Sequence, residues 1–437
     1  MSIPVVTVGQ SREDLVGGLE RLHGPVTVVR RCSELTELLA ACQSGLARAA
    51  LVAEGSEDLT ASLVDRLRAV GVAIIALTDN PAETARLRGI GAAAAAPNVD
   101  SAALAERISE AVAHLAGARS VVLTQPDSGI ADPGASVRLR MEADADAPAE
   151  AGTGRILAVW GPAGSPGRTL VAANMAGELA RAGKSVLLVD ADSYGASVAA
   201  SLGLLDESAG LAQACRLADQ GMLDTQALLR IATAVTLKAG TLRVLTGITR
   251  ADRWTELRAA ALSRVLEQCK QVADVVVIDT GFCLEADEEL SFDTLAPRRN
   301  AATLRSLELA DTVYAIGSAD SIGVPRLVRG LAELEHAVPH SSPTVVMNRV
   351  RASAVGRSPE RQLREAWERY GPSARIEAFL PADFAASDAA LLTGSLLLEA
   401  APDSALRLSI AELVCAPVQR KRRSSVFSST AKRRAKD

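Results

Sequence analysis

Aromatic residues are scarce in this chain, at 3% of 437 residues, whereas hydrophobic residues make up 48%. Alanine, valine and leucine must therefore fill most of a globular core. Long hydrophobic runs are also missing, since none reaches the roughly 18 residues that a membrane-spanning helix needs. The N-terminal segment has no basic stretch followed by an apolar one, so we expect no secretory signal.

Paired cysteines and clustered histidines are absent as well. The six cysteines are scattered without a CxxC pair, and only two of the four histidines, His336 and His340, lie close together. Pro339 stands between these two and interrupts the helix that would bring them to one face. The pattern favours free thiols and a cytoplasmic location over a disulfide framework or a zinc site.

Charge is unevenly distributed around a net value of −5. Residues 420–436 contain eight basic and no acidic residues, so the remainder of the chain is acidic. The net charge argues against a protein that coats nucleic acid along its whole surface. The tail, residues 418–437, is either a disordered solubilising segment or a contact for anionic membrane or DNA.

The order of apolar runs predicts an α/β fold class with two domains. In residues 1–118, runs at 3–9, 25–32, 49–54, 72–79 and 92–97 alternate with helix-like stretches. Such alternation predicts a parallel sheet covered on both faces. Residues 119–153 are rich in alanine, proline, glycine and acids, which is typical of a flexible linker. A second domain, residues 154–417, precedes the tail.

The first domain resembles a response-regulator receiver, which has a flavodoxin-like parallel sheet. Glu54 stands where a receiver has its phosphoacceptor aspartate, and Gln10 stands where it has metal-binding acids. The lysine expected after the fifth strand is missing. The resemblance therefore predicts a pseudo-receiver that serves docking or dimerisation. Glu54 is either a solvated carboxylate or a mimic of a phosphorylated aspartate.

A glycine-rich stretch opens the second domain. The sequence RILAVWGPAGSPGRTL predicts a strand, a tight loop and a helix. Such a loop points backbone N–H groups at an anion, and the start of the helix adds partial positive charge. We expect the phosphate-binding residues to be Gly161, Gly164, Ser165, Gly167, Arg168 and Thr169. The loop departs from the standard P-loop pattern, which has glycine at 162 and lysine at 168; a turn without a ligand is the alternative.

Three carboxylates follow apolar strands of this domain. Asp190 and Asp192 end the run KSVLLVDAD, and Asp279 ends VVVID. The carboxyl ends of parallel strands meet at one edge of a sheet, so these acids are expected beside the loop. Carboxylates and the Thr169 hydroxyl are ligands that suit Mg²⁺ and its water.

Residues 155–400 resemble the ParA/MinD ATPases, which carry a deviant Walker A loop. The matching segments are the glycine-rich loop, GKSVLLVDAD, VVIDTG, LADTVYAI, VMNRV and LPAD. This P-loop NTPase resemblance implies ATP and Mg²⁺ as cofactors. It implies that Asp190 orients the attacking water, that Thr169, Asp192 and Asp279 serve the metal, and that Asn348 reads adenine. Pro381 is expected to pack near the base.

With a receiver-like domain in front, the chain resembles the TadZ/CpaE group, which positions tight-adherence (Flp-type) pilus machinery. That resemblance implies an ATP-favoured homodimer with pilus or secretion proteins as partners. A MinD-like septum-site regulator, a DNA-partitioning protein and a scaffold with a vestigial loop are the alternatives. Residues 283–305 are read as a partner-binding or switch element, or as an exposed loop over the site.

The loop lacks both family lysines. One falls at Pro162 or Ala163, and the other is Arg168. Arginine neutralises phosphate charge, but its planar fork does not replace a compact ammonium group. We therefore expect nucleotide binding with slow or absent hydrolysis, and at most a weak ATPase.

Overall fold

A computed structural model describes residues 2–9, 15–22, 24–123, 154–204, 209–238, 240–286 and 297–415, with side chains described up to residue 116 in the first domain. The described strands are β1 (Ile3–Val8), β2 (Val26–Cys32), β3 (Ala49–Val52), β4 (Ala73–Leu77), β5 (Ala93–Ala95), β6 (Arg155–Trp160), β7 (Val186–Ala191), β8 (Thr233–Leu237), β9 (Gly240–Leu245), β10 (Val275–Thr280), β11 (Thr312–Ser318), β12 (Thr344–Val350) and β13 (Ile376–Pro381).

The described helices are α1 (Leu15–Arg21), α2 (Leu35–Gln43), α3 (Ala61–Ala69), α4 (Pro81–Gly89), α5 (Ser101–Leu123), α6 (Arg168–Arg181), α7 (Val198–Ser201), α8 (Gly210–Asp219), α9 (Thr225–Ile231), α10 (Ala259–Val272), α11 (Ala301–Glu308), α12 (Gly323–Ala337), α13 (Ala352–Val355), α14 (Pro359–Tyr370), α15 (Phe384–Thr393), α16 (Leu397–Ala400) and α17 (Ala405–Cys415).

The first sheet has five parallel strands in the order β2-β1-β3-β4-β5. This is the strand order of flavodoxin-like folds. Strands β3 and β4 are buried along their whole length, because helices cover both faces of the sheet. On one face α1 and α5 pack their leucines and Ile108 onto the sheet, while α2, α3 and α4 cover the other. The predicted α/β fold class is confirmed here.

The second sheet has eight strands in the order β13-β12-β11-β6-β10-β7-β9-β8. All neighbours are parallel except β8 and β9, which form an antiparallel hairpin at one edge. The hairpin was not anticipated from the sequence. The chain leaves β6 toward β7 on one side and later returns to β11 on the other. Ligands of open α/β sheets bind where the strand order reverses in this way, outside the carboxyl ends of the strands.

Helix α6 lies at the centre of the second domain. Most of its residues are buried between the sheet and the C-terminal helices α16 and α17. Its one buried acid, Glu178, receives hydrogen bonds from Arg407 of α17 at 2.6 and 2.9 Å. A buried carboxylate that lost this partner would be strongly destabilising, so the ion pair fixes α17 against the helix that follows the glycine-rich loop.

The two domains contact each other through α3 and α4 of the first and α8 and α10 of the second. Asp219, at the end of α8, accepts hydrogen bonds from the backbone N–H and the hydroxyl of Ser62 at 2.8 and 2.6 Å. Arg264 of α10 donates to the carbonyl oxygens of Gly89 and Ile90 at 3.0 and 2.7 Å. Charge-assisted bonds of this kind are stronger than neutral ones, so they define one docking geometry.

We expect Arg264→Ala to loosen this docking. Two charge-assisted hydrogen bonds would be lost, at about 1–3 kcal/mol each. Amide hydrogen exchange of the full chain should then become faster in α3, in α4 and at the end of α8. The matched control is Lys270→Ala on the same helix, which should leave those amides unchanged. Equal exchange in both variants would show that Arg264 does not hold the domains together.

Candidate functional site

The glycine-rich loop connects β6 to α6 and folds as a concave turn. Three residues close together in the loop have positive φ angles: Gly164 (108°), Ser165 (53°) and Gly167 (96°). Gly167 is the N-cap of α6 and gives the helix no side-chain cap. The first N–H groups of a helix have no intrahelical acceptor, so this end of α6 can bind an anion.

Glycine is required at two positions of the loop for reasons of space. A Cβ on Gly161 would lie 2.3 Å from the carbonyl oxygen of Ile316, and one on Gly167 would lie 2.5 Å from Asn348 Nδ2. The loop therefore packs tightly against β11 and β12. Its shape is set by close contacts with the Ile316 carbonyl and the Asn348 side chain, which leave no room for a Cβ.

Thr169 and Asp279 meet at the start of α6. The Thr169 hydroxyl donates to Asp279 Oδ2 at 2.6 Å, and Asp279 is fully buried at the end of β10. The other carboxylate oxygen, Oδ1, is buried and has no hydrogen-bond partner among the described residues. An acceptor oxygen left over in a buried site is suited to a cation or to a water bound to one.

Asp190 closes the turn that follows β7. Its Oδ2 accepts from the backbone N–H groups of Ser197 and Val198 at 2.9 and 3.0 Å, and its Oδ1 accepts from Asp192 N at 3.3 Å. Burial raises the pKa of this carboxyl to about 7, against the lowering effect of these bonds. In this conformation both oxygens face the turn, and its role in orienting a water stays a prediction.

Asp192 lies opposite the loop and pairs with Arg168. Arg168 Nη2 donates to Asp192 Oδ2 at 3.2 Å, and Nη1 donates to the Gly161 carbonyl at 2.9 Å. The second oxygen of Asp192 accepts from Tyr194 N and Gly195 N. The only arginine of the loop therefore ties the loop to the turn at residues 192–198, in a largely buried ion pair.

Burial also raises the pKa of Asp279 well above its usual range, and the charge of nearby Asp190 adds to the effect. Three acids thus lie close together, and among them only Asp192 forms an ion pair, with Arg168, in the described part of the chain. Elementary electrostatics favours a further positive charge there. No group of three His, Cys, Asp or Glu side chains in the described ranges could hold a metal ion without other ligands. A Mg²⁺ ion would fit through Thr169 and the free oxygen of Asp279, with phosphate and water completing its shell.

Asn348 braces the loop from β12. Its Nδ2 donates to the Pro166 carbonyl at 2.7 Å, and its Oδ1 accepts from Arg349 N at 2.8 Å. Pro381 lies on the neighbouring strand, paired in register with Val350. The two residues expected near a base are therefore on adjacent strands, but this contact of Asn348 is with the loop itself.

Sequence reasoning missed an aromatic contact beside the site. Tyr194 packs against Phe282 with ring centroids 4.9 Å apart, and its hydroxyl donates to Asn300 Oδ1 at 2.8 Å. The guanidinium of Arg299 lies 4.2 Å above the Tyr194 ring. The turn after β7 is thereby joined to Phe282, just before the 283–305 segment, and to Arg299 and Asn300 within it. The sequence offered one signal for this contact, the scarcity of aromatic residues, because two of the chain's eight Phe and Tyr residues meet here.

The other predicted features have different outcomes. Glu54 follows β3 and is exposed, with its backbone packed close to Gly9. Residues 287–296 of the 283–305 segment and the basic tail lie outside the described residues. None of the helices in the described ranges is long and apolar enough to cross a membrane.

The raised pKa of Asp190 makes a prediction about pH. Folding raises the pKa of this acid from 3.8 to about 7, so the native state keeps a proton that the unfolded chain releases at lower pH. The folded protein therefore loses stability as the pH rises from about 4 to about 7. The free energy of unfolding of Asp190→Asn minus that of the parent should therefore increase between about pH 4 and pH 7 and level off above pH 7. Urea unfolding at each pH measures this difference. A difference independent of pH would contradict it, and the exposed Asp252→Asn serves as the control.

Comparison with known proteins identifies the family to which this domain belongs. Residues 157–391 match the family model of the CobQ/CobB/MinD/ParA nucleotide binding domain. Among curated proteins, none matches the chain. A ParA family ATPase from Chlorobium tepidum superimposes with a TM-score of 0.50 at 18% identity, over 60% of this chain and 99% of that one.

Two MinD structures are less similar. Pyrococcus furiosus MinD has a TM-score of 0.46 at 19% identity, covering 60% of this chain and 97% of its own. MinD of Pyrococcus horikoshii, solved with Mg-ADP, has a TM-score of 0.46 at 17% identity, covering 60% and 94%. At such identities the structural likeness concerns the fold, whereas the family model spans more than half of the sequence. The chain therefore belongs to the CobQ/CobB/MinD/ParA family of nucleotide-binding domain proteins.

Proposed function

We propose that this protein binds ATP with Mg²⁺ at the loop 161–169 and uses the nucleotide to control its assembly with other proteins. The observation that carries the proposal is the contact between Thr169 and the buried Asp279, which leaves one carboxylate oxygen without a partner. A bound Mg²⁺ would neutralise phosphate charge at this point. Thr169 and Asp279 would hold it, and the N–H groups at the start of α6 would hold the phosphates.

Hydrolysis is proposed to be slow or absent. Arg168 is engaged with Asp192 and with the Gly161 carbonyl, and both oxygens of Asp190 accept backbone hydrogen bonds. An attacking water needs a free acceptor within hydrogen-bond reach, so the turn at 192–198 would first have to open. The protein would then act as a nucleotide-dependent switch with, at most, weak ATPase activity.

The nucleotide is proposed to favour a homodimer that positions a pilus or secretion machine of the TadZ/CpaE type, at the inner face of the membrane or a cell pole. Two features support this part. The receiver-like domain lacks the metal-binding acids and the phosphoacceptor aspartate of a working receiver. It also docks on α8 and α10, which follow the turn and the hairpin of the nucleotide-binding domain. A domain of this kind suits partner recognition better than phosphoryl transfer.

We expect the parent protein to bind Mg-ATP and Thr169→Val to bind it about tenfold more weakly, because the substitution removes one metal-directed hydroxyl at nearly constant volume. Isothermal titration with and without Mg²⁺ measures this, and the loss should vanish when EDTA is present. Thr393→Val, an exposed hydroxyl on α15, is the matched control. Absence of Mg-ATP binding by the parent would instead favour a scaffold with a vestigial loop.

Deleting the gene should abolish assembly of a surface pilus while leaving cell division and plasmid inheritance intact, because the proposed partner is a pilus machine. Electron microscopy of the surface and septum counts measure the two outcomes, with reintroduction of the gene as the control. Intact pili with misplaced septa would support the MinD-like alternative. Intact pili with lost plasmids would support DNA partitioning.

A further inference from the structure

The loop 161–169 provides little positive charge for a polyphosphate. Its single cation, Arg168, faces inward and is paired with Asp192 in an ion pair that is about nine-tenths buried on both sides. Asp190 and Asp279 add two more buried acids. A nucleotide polyphosphate would bring several further negative charges to this place. Binding therefore calls for a cation from outside the loop, in addition to Mg²⁺.

Arg326 of α12 lies against the tip of the loop. A Cβ on Gly164 would come within 2.4 Å of Arg326 Nη1, so the guanidinium rests on the bare glycine. Gly164 takes a φ of 108°, and a side chain there would be strained and would displace the arginine. The exposed Arg326 side chain has long, rotatable methylene links and can follow an anion held at the loop.

The surroundings of Arg326 leave its charge available. It lines a cavity of about 200 Å³ together with Pro162, Gly164 and Arg349. In the described part of the chain, no carboxylate forms a hydrogen bond or ion pair with Arg326. The acid in the same cavity, Asp320, is already engaged, because it caps the start of α12 through Ile322 N and Gly323 N and accepts from the Ser318 hydroxyl.

We propose that Arg326 is the second phosphate-contacting cation of this site, taking the electrostatic role for which the loop has no lysine. The inference rests on the proposed nucleotide binding and adds the residue that completes it. The ligand chemistry is a nucleotide polyphosphate. This polyphosphate belongs either to a nucleotide bound in the loop of the same chain or to a nucleotide bound by a second copy of the chain that faces Arg326.

The position of Arg326 explains two oddities of the loop together. Pro162 and Ala163 cannot supply a cation, and the same cavity that they line contains the guanidinium. Gly164 has no catalytic atom of its own, but its missing side chain leaves the space that the guanidinium occupies. A cation contributed by α12 in this way would move with α12 and β11 rather than with the loop.

The test uses the full chain and four proteins: the parent, Arg326→Ala, Arg326→Lys and Arg329→Ala. Arg329 is exposed on the same helix one turn later and is the matched control. The dissociation constant for Mg-ATPγS is measured by isothermal titration at several salt concentrations. We expect Arg326→Ala to bind about tenfold more weakly with a shallower salt dependence, because one charge-assisted contact is lost. Arg326→Lys should recover most of the affinity, and Arg329→Ala should match the parent.

A second probe separates this inference from the proposed function. Inorganic tripolyphosphate is titrated into the same proteins, with the thermal midpoint as readout. If the parent binds tripolyphosphate in an Arg326-dependent manner but not Mg-ATP, the cation role stands and nucleotide binding fails. If the parent binds Mg-ATP and Arg326→Ala binds equally well, the inference is overturned while the proposed function stands. Binding of neither probe overturns both.

Protein concentration identifies the source of the phosphate. Sedimentation velocity defines the concentrations at which the parent is monomeric and dimeric with Mg-ATPγS. An Arg326 effect in the monomeric range assigns the contact to the nucleotide in the same chain. An effect confined to the dimeric range assigns it to the nucleotide of the second copy. No effect in either range excludes Arg326 as a phosphate contact.

Discussion

Burial of three carboxylates at one edge of a parallel sheet is the constraint on which the rest of the nucleotide-binding domain depends. Asp190, Asp192 and Asp279 reach this edge because β7 and β10 are neighbours and end at the same level. Buried like charges repel each other strongly unless hydrogen bonds and cations offset them. The turn after β7, the Thr169 hydroxyl and Arg168 supply that compensation. The closure of the turn, the pairing of Arg168 and the need for a further cation all follow from it.

The sequence predicted the parts of this fold that are local. Buried parallel strands are continuous apolar runs, so VVVIDT and TVVMNRV were recognisable, and the acids at their ends could be assigned to one edge. The hairpin of β8 and β9 was missed because its strands mix polar and apolar residues and lie toward one edge of the sheet. Arg326 and Tyr194 were missed because their contacts join residues far apart in the chain, which no spacing rule encodes.

The glycine-rich loop is held by side chains from three other parts of the domain, which a short sequence motif does not reveal. Asn348 holds it from β12, Arg168 ties it to the turn, and Arg326 covers its tip. Each of these contacts comes from a different strand end or helix start. The charge and shape of the site are therefore distributed over the whole carboxyl edge, and a loop with few charges of its own can still belong to a nucleotide-binding site.

The docking of the N-terminal domain has a thermodynamic consequence. Gly210 and Leu211, at the start of α8, are bonded to Thr246, and the next residue, Gly247, packs against the Asp190 carboxylate. The far end of the same helix carries Asp219, which holds Ser62. One short helix therefore joins the docking surface to Asp190, a buried acid of the site whose pKa is raised. Thermodynamic linkage is reciprocal. If a bound nucleotide raises the affinity of the N-terminal domain for a partner, that partner must raise the affinity of the site for the nucleotide by the same factor.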